Sequence, residues 1–314
     1  MRSIALAIAA VLAPTLAVAG DDETPPPPVF LEKVEATSTY ASKNNAYEAR
    51  LAVNPKIAYD SNYDPIYKSA WCEGKKDAGI GESLTLTFAA PTRVDKLTIK
   101  AGVWMTAKLF TANNIPTAIT ITTDDKRTFT AKPSATERKE AEVAIGGAPV
   151  KTMTLAITEV KPGKMNDSCI THVAFGDAAV VTGVDAAGAA AYAGAAKAIA
   201  DTFWVFSGDT VAVGCDPKLI AKTIELPFTW VDVVNTHSSD EKTRFTRTKG
   251  VIKDAAAFTK YCKRGFFNAG HSVEKAQVSS SGPGLVSLQF EGAETMQSLQ
   301  LRYKGGVWKA FALD

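Results

Sequence analysis

Between residues 33 and 177 the apolar and polar positions alternate with a period of two. Leu84, Leu86 and Phe88 are separated by Thr85 and Thr87, and Ile119 and Ile121 alternate with Thr120 and Thr122. Met153, Leu155 and Ile157 repeat the pattern around Thr154 and Ala156. A strand sends successive side chains to opposite faces, so this spacing predicts half-buried antiparallel strands. Short strands broken at Gly, Pro and Asn predict a β-sandwich. Further along, the period changes. Tyr192, Ala195, Ile199, Phe203 and Phe206 recur at steps of three and four, one stripe of an amphipathic helix. Asp254 predicts the cap of another helix, in which Phe258, Tyr261 and Cys262 share a face. Strands are then predicted over 285–290, 299–303 and 307–313, the last two joined by a hairpin at Gly305-Gly306. An all-β sandwich followed by an α+β domain, with helices packed on an antiparallel sheet, is the expected architecture.

The ends of these segments set the organisation. Met1-Arg2-Ser3, the apolar run Ile4 to Leu16 and the small-x-small Ala17-Val18-Ala19 read as a secretory signal peptide over residues 1–19. The predicted location is therefore exported, periplasmic or secreted. No cysteine stands at the cleavage point, so a lipid anchor is not supported. Residues 20–32 contain Pro25 to Pro28 and read as an extended spacer. The sandwich is expected over 33–177, a linker over 178–191, and the α+β domain over 192–314. The Ala-rich stretch at 178–200 is too weakly apolar, with Asp185 and Lys197 inside it, to be read as a membrane span.

The chain has 314 residues, enough for two cores, with 46% hydrophobic and 22% charged residues. Its net charge of +2 argues against nucleic acid as a partner, and no polybasic block suggests a membrane surface. Export turns the four cysteines into a disulfide question. Three connectivities are available. Two cysteines in each half favour Cys72–Cys169 and Cys215–Cys262. Closing loops of roughly 100 and 50 residues stabilises by about 4–5 kcal/mol each in the chain-entropy account.

Three separate segments carry a family resemblance. They are Ala70-Trp71-Cys72-Glu73-Gly74 with Gly79-Ile80-Gly81-Glu82-Ser83-Leu84, then Phe110 to Asn114, then Val160 to Lys164 with Asp167-Ser168-Cys169-Ile170. Over residues 33–176 the chain resembles the discoidin-like (coagulation-factor C-type) domains of the kind attached to streptococcal NAD-glycohydrolase, where the domain assists toxin translocation by binding glycan. The resemblance implies a galactose-binding-like jelly roll with Cys72 and Cys169 as the family's pair. Ile115 stands where the family carries a basic residue and Trp104 where it carries a tyrosine. Nothing resembles the NAD-hydrolysing domain itself. The second half resembles, through its leading helix, Leu226-Pro227-Phe228 and the Leu301-Arg302-Tyr303 to Trp308-Lys309 ending, the cone-like fold of nuclear transport factor and ketosteroid isomerase relatives.

Candidate chemistry is sparse. Tyr63, Tyr67, Trp71 and Trp104 offer faces for a sugar ring, with Asp60, Glu73, Asn113 and Asn114 as polar partners. Trp71, beside a cysteine, is assigned to the core. Asp60, Asn62 and Asp64 place three oxygens at alternate positions, which suits calcium, although Asx residues equally build turns and Pro65 occupies the glycine place of an EF-hand loop. No other cofactor is expected. No GxSxG, HExxH, P-loop or GxGxxG motif occurs, and His172, His237 and His271 have no evident nucleophile beside them. The expected function is thus non-catalytic recognition of carbohydrate or another envelope ligand through the sandwich loops. The alternatives are a protein–protein interaction module, or an enzyme using a cavity near Asp232 and Tyr261 in the second domain.

Overall fold

The alternating segments become long paired strands. In order they are β1 (Val29–Ala36), β2 (Ile57–Tyr59), β3 (Pro65–Tyr67), β4 (Trp71–Cys72), β5 (Ser83–Thr92) and β6 (Lys96–Ala101). A short helix α1 (Ala107–Ala112) precedes β7 (Ile115–Thr123), β8 (Thr128–Ala131), β9 (Ala141–Ala144), β10 (Val150–Lys161), β11 (Cys169–Ala174) and β12 (Val180–Thr182). This computed structural model describes residues 25–43, 47–60, 64–203, 216–237, 243–262, 276–291 and 296–313. The expected signal peptide, Asn62, Tyr63, Cys215, Phe206 and His271 lie outside those residues, and so does the Cys215–Cys262 pairing.

One sheet of six strands, ordered β12-β1-β5-β10-β7-β8, faces a sheet of four, ordered β4-β11-β6-β9. Leu84, Leu86 and Phe88 of β5 point into the sandwich and are fully buried, as are Ile119 and Ile121 of β7 and Met153, Leu155 and Ile157 of β10. Leu97 and Ile99 of β6 close the core from the opposite sheet. Each such side chain contributes about 1.5–3 kcal/mol on burial. On the outer side of the same strands Thr85 and Thr154 share a hydrogen bond of 3.2 Å. Cys72 and Cys169 sit opposite each other where β4 meets β11, and they are bridged. Trp71 is fully buried beside them and its indole donates to Ser38 O at 3.0 Å. The core assignment made from the sequence holds.

The spacer and linker look different from the expectation. β1 begins at Val29, so the extended proline segment ends at Pro28. The stretch expected as a linker carries β12, which pairs in parallel with β1, and then the start of helix α2 (Ala186–Phe203). The physical reason is visible in hindsight. Val180-Val181-Thr182 is a β-branched run suited to a strand, and Ala186 to Ala191 are strong helix formers apart from Gly188.

The second half is α+β. Helix α3 (Pro217–Thr223) leads into β13 (Ile224–His237) and β14 (Thr243–Ile252), followed by α4 (Ala255–Cys262). The remaining strands are β15 (Gln277–Gly282), β16 (Leu285–Glu291), β17 (Met296–Lys304) and β18 (Val307–Leu313). Asp254 caps α4 through Ala257 N at 2.8 Å, and Phe258 is buried, as the spacing predicts. Gly305 and Gly306 both have positive φ in the β17–β18 turn, which only glycine adopts cheaply. The six strands are ordered β14-β13-β18-β17-β16-β15. One expectation is corrected here. The sheet is mixed, because β13 and β18 run parallel. Between β13 and α4 the chain has already made a hairpin with β14, and this leaves β13's other edge to the last strand. No helix among the described residues is long and apolar enough to cross a membrane.

Candidate functional site

β6 alternates as cleanly as β5, but two of its three outward residues are lysines. Leu97, Ile99 and Ala101 face the core, while Lys96, Thr98 and Lys100 face out. The neighbouring β9 does the same, with Ala141 and Val143 inward and Glu142 outward, and Glu140 just before it. Antiparallel pairing of β6 with β9 puts Thr98 opposite Glu142 and Ile99 opposite Ala141. Lys96 Nζ consequently reaches Glu142 at 2.9 Å, and Lys100 forms an ion pair with Glu140. On the other side of β6, β11 sets His172 directly opposite Lys100.

Two aromatic rings close this face. At the end of β6, Gly102 adopts φ +84°, and a Cβ there would lie 2.9 Å from the Phe110 ring. The turn needs glycine, and it delivers Trp104 back over the sheet. Thr171 pins that loop by accepting from Trp104 N at 3.0 Å and donating to Gly102 O at 2.7 Å. The Trp104 indole donates to Ala101 O at 2.8 Å. Tyr67, at the end of the β2–β3 hairpin, meets Trp104 edge to face with centroids 6.3 Å apart. The Lys100 ammonium lies 5.0 Å from the Trp104 ring and 5.8 Å from the Tyr67 ring. One cation thus ties both aromatics to Glu140.

Tyr67, Lys96, Thr98, Lys100, Glu140, Glu142, His172 and Asp177 line a cleft of about 230 Å³ over the outer face of the four-stranded sheet, and Trp104 stands beside it over Lys100. Burial pushes the Tyr67 hydroxyl up, while Lys100 pulls the other way. Burial, helped by the Lys100 charge and opposed by Glu140, lowers His172 to about 4, so the imidazole is neutral at neutral pH. The Tyr67 and His172 rings lie 6.0 Å apart.

The residues singled out from the sequence are distributed unevenly around this cleft. Trp104 is half-buried at its edge. Glu73 is fully buried, and its carboxylate accepts from Lys75 N at 2.6 Å and Ser168 N at 3.2 Å. Burial raises its pKa, with those two amides opposing. Asn113 closes α1 by donating to Leu109 O at 2.8 Å. Asn114 donates to Asn166 O at 2.9 Å and accepts from Gly163 N at 2.8 Å. Both asparagines are at most 4% exposed. Glu73, Asn113 and Asn114 are thereby corrected from ligand partners to scaffold, since their polar atoms hold loop backbone. Asp60 is exposed and organises the β2–β3 turn, its carboxylate accepting from Asp64 N at 3.0 Å. Among the described residues no group of three or more His, Cys, Asp or Glu is placed to hold a metal. In the second half Tyr261 is buried against Phe258 and Trp230, which gives it a packing role, and the Asp232 side chain is outside the described part.

The sequence missed Lys96, Lys100, Glu140, Glu142 and Asp177, and left His172 without a role. Their signal was present in the alternation of β6 and β9. What turned two solvated faces into one cleft was the pairing of distant strands, which a single sequence does not display.

Comparison with known proteins addresses the first half of the chain. A search of curated proteins returned no match. Among solved structures, a family 32 carbohydrate-binding module of Clostridium perfringens NanJ, in complex with galactose, is 14% identical with a TM-score of 0.31, covering 45% of this chain and 90% of that one. A second Clostridium perfringens family 32 module, in complex with GalNAc-β-1,3-galactose, is 15% identical with a TM-score of 0.32 over 45% of this chain and 91% of its own. The NAD+-glycohydrolase translocation domain of Streptococcus pyogenes is 20% identical with a TM-score of 0.27, covering 32% of this chain and 90% of that domain. The family model described as the NAD glycohydrolase translocation F5/8 type C domain matches residues 29–176, which takes in the whole of β1 to β11, the disulfide and nearly every residue of the cleft. Residues 29–176 are thus similar to that discoidin-like family.

Proposed function

We propose that the protein is an exported, non-catalytic binding protein whose sandwich recognises carbohydrate of the cell envelope. The observation that carries this reading is the cleft over β6, β9 and β11, where two aromatic rings border a row of charged hydrogen-bonding groups. A sugar offers hydroxyls to such a row and a C–H face to such rings. The family match over residues 29–176 supports a binding role, and the Cys72–Cys169 bridge fits an oxidising compartment. Trp104 and Tyr67 act as the border and Glu140, Glu142 and His172 as the polar partners.

A glycan array probed with the mature chain and with Trp104→Ala tests this. The expected result is binding to a restricted set of glycans, weakened by about 2 kcal/mol in the variant. Because Trp104 is half-buried, the variant's stability should fall by less than the ~3–5 kcal/mol of a full core site. A destabilised variant that binds unchanged would remove Trp104 from the site. An array with no binding at all would remove carbohydrate.

A further inference from the structure

The cleft carries more carboxylates than ammonium groups. Three carboxylates, Glu140, Glu142 and Asp177, face two ammonium groups, Lys96 and Lys100. Each carboxylate has about four lone-pair positions and each lysine none. Exposure sharpens the imbalance. The Lys100 side chain is only 16% exposed, held under Glu140 and the two rings, whereas Glu140 and Glu142 are 46% and 59% exposed. Lys96 is itself 48% exposed and gives one of its three N–H donors to Glu142 at 2.9 Å, so the surplus of the cleft is one negative charge rather than a lack of donors.

His172 provides an independent observation. Its ring lines the cleft, is neutral, and has no hydrogen-bond partner among the described residues. A neutral imidazole offers one acceptor and one donor. Lys100, Glu140 and Tyr67 surround it, and none of them bonds to it.

Resting on the carbohydrate reading above, we infer that the cleft selects sugars bearing a free amino group, hexosamines of the glucosamine type, over their N-acetylated and acidic counterparts. An ammonium supplies three donors and a positive charge to a site rich in acceptors and short of one cation. Acetylation replaces it with one N–H, a carbonyl acceptor and a methyl group. Ala174 is the sole wholly apolar side chain on the lining to receive that methyl. An acidic sugar would add a fourth anion.

Calorimetric titration of the mature chain with glucosamine oligomers, N-acetylglucosamine oligomers and glucose oligomers of equal length tests the inference. Free-amine oligomers should bind about tenfold or more tightly than the acetylated ones. Added salt should narrow that gap. Glu142→Gln and Asp177→Asn, at exposed positions, should reduce the preference while the melting curve stays unchanged. Equal or tighter binding of the acetylated or neutral oligomers overturns the inference and leaves the carbohydrate reading standing. Binding of no oligomer here, and of no glycan on the array, overturns both. Oligolysine binding as tightly as the amino sugar, with the same loss in the two variants, also overturns it, by reducing the site to a general attraction for cations.

Discussion

His172 shows how much one side chain reveals about this face. In the unfolded chain its pKa is ordinary, near 6.5, and in the fold it is lowered to about 4. Between those values the unfolded chain binds a proton that the folded chain refuses. Stability is therefore fully expressed above pH 6.5 and is lost as the pH falls toward 4, by about 1–3 kcal/mol. Urea unfolding of the wild type and His172→Gln at pH 7.5 and pH 4.5 measures this. The variant should lose less stability on acidification than the wild type, and equal losses would refute the assignment. The residue was visible in the sequence as an isolated histidine, but its strand partner Lys100 lies 72 positions away in the chain. Glu73, Asn113 and Asn114 misled for the converse reason. Polar residues in loops read as facing a ligand, yet buried loop backbone needs partners too, and these three side chains supply them.

Elements were legible in proportion to their periodicity. β5, β7 and β10 follow the alternation, and α4, β16, β17 and β18 lie where cap, pattern and turn residues predict them. The stretch from 178 to 191 was misread because small residues carry no amphipathic signal. There the alanines and glycine let α2 approach the sheet closely. Asp185 accepts from Gly188 N at 2.8 Å and from the Tyr303 hydroxyl at 2.7 Å, and Gly188 O accepts from the Trp308 indole at 2.8 Å. A Cβ on Gly188 would lie 2.5 Å from the Tyr303 ring. Helix propensity alone predicts that Gly188→Ala stabilises by about 1 kcal/mol. The close approach predicts the opposite sign, because the ring cannot withdraw without releasing Asp185. Thermal unfolding decides between them: a lower melting temperature is expected, and a raised one would contradict this packing.

At the scale of the whole molecule the two halves are joined by more than the covalent chain. Phe30 of β1 packs on Tyr192 and Trp308, with centroids 5.1 and 6.2 Å away. Val181 of β12 belongs to the second core. Gly284 N donates to Thr182 O at 2.6 Å, and Asn54 donates to Ser280 at 3.1 Å. The outer face of β6, β9 and β11 carries the cleft, while β1 and β12 of the other sheet, with the turn at Asn54, carry these contacts. A ligand in the cleft would therefore leave the junction undisturbed. The most direct test of the central claim is an NMR titration of residues 20–314 with the strongest glycan from the array, followed through the backbone amides. Shifts confined to Tyr67, Thr98, Lys100, Glu140 and His172 and their strand neighbours are the predicted result. Shifts centred on the second half of the chain, or on loops away from β6 and β9, would contradict it.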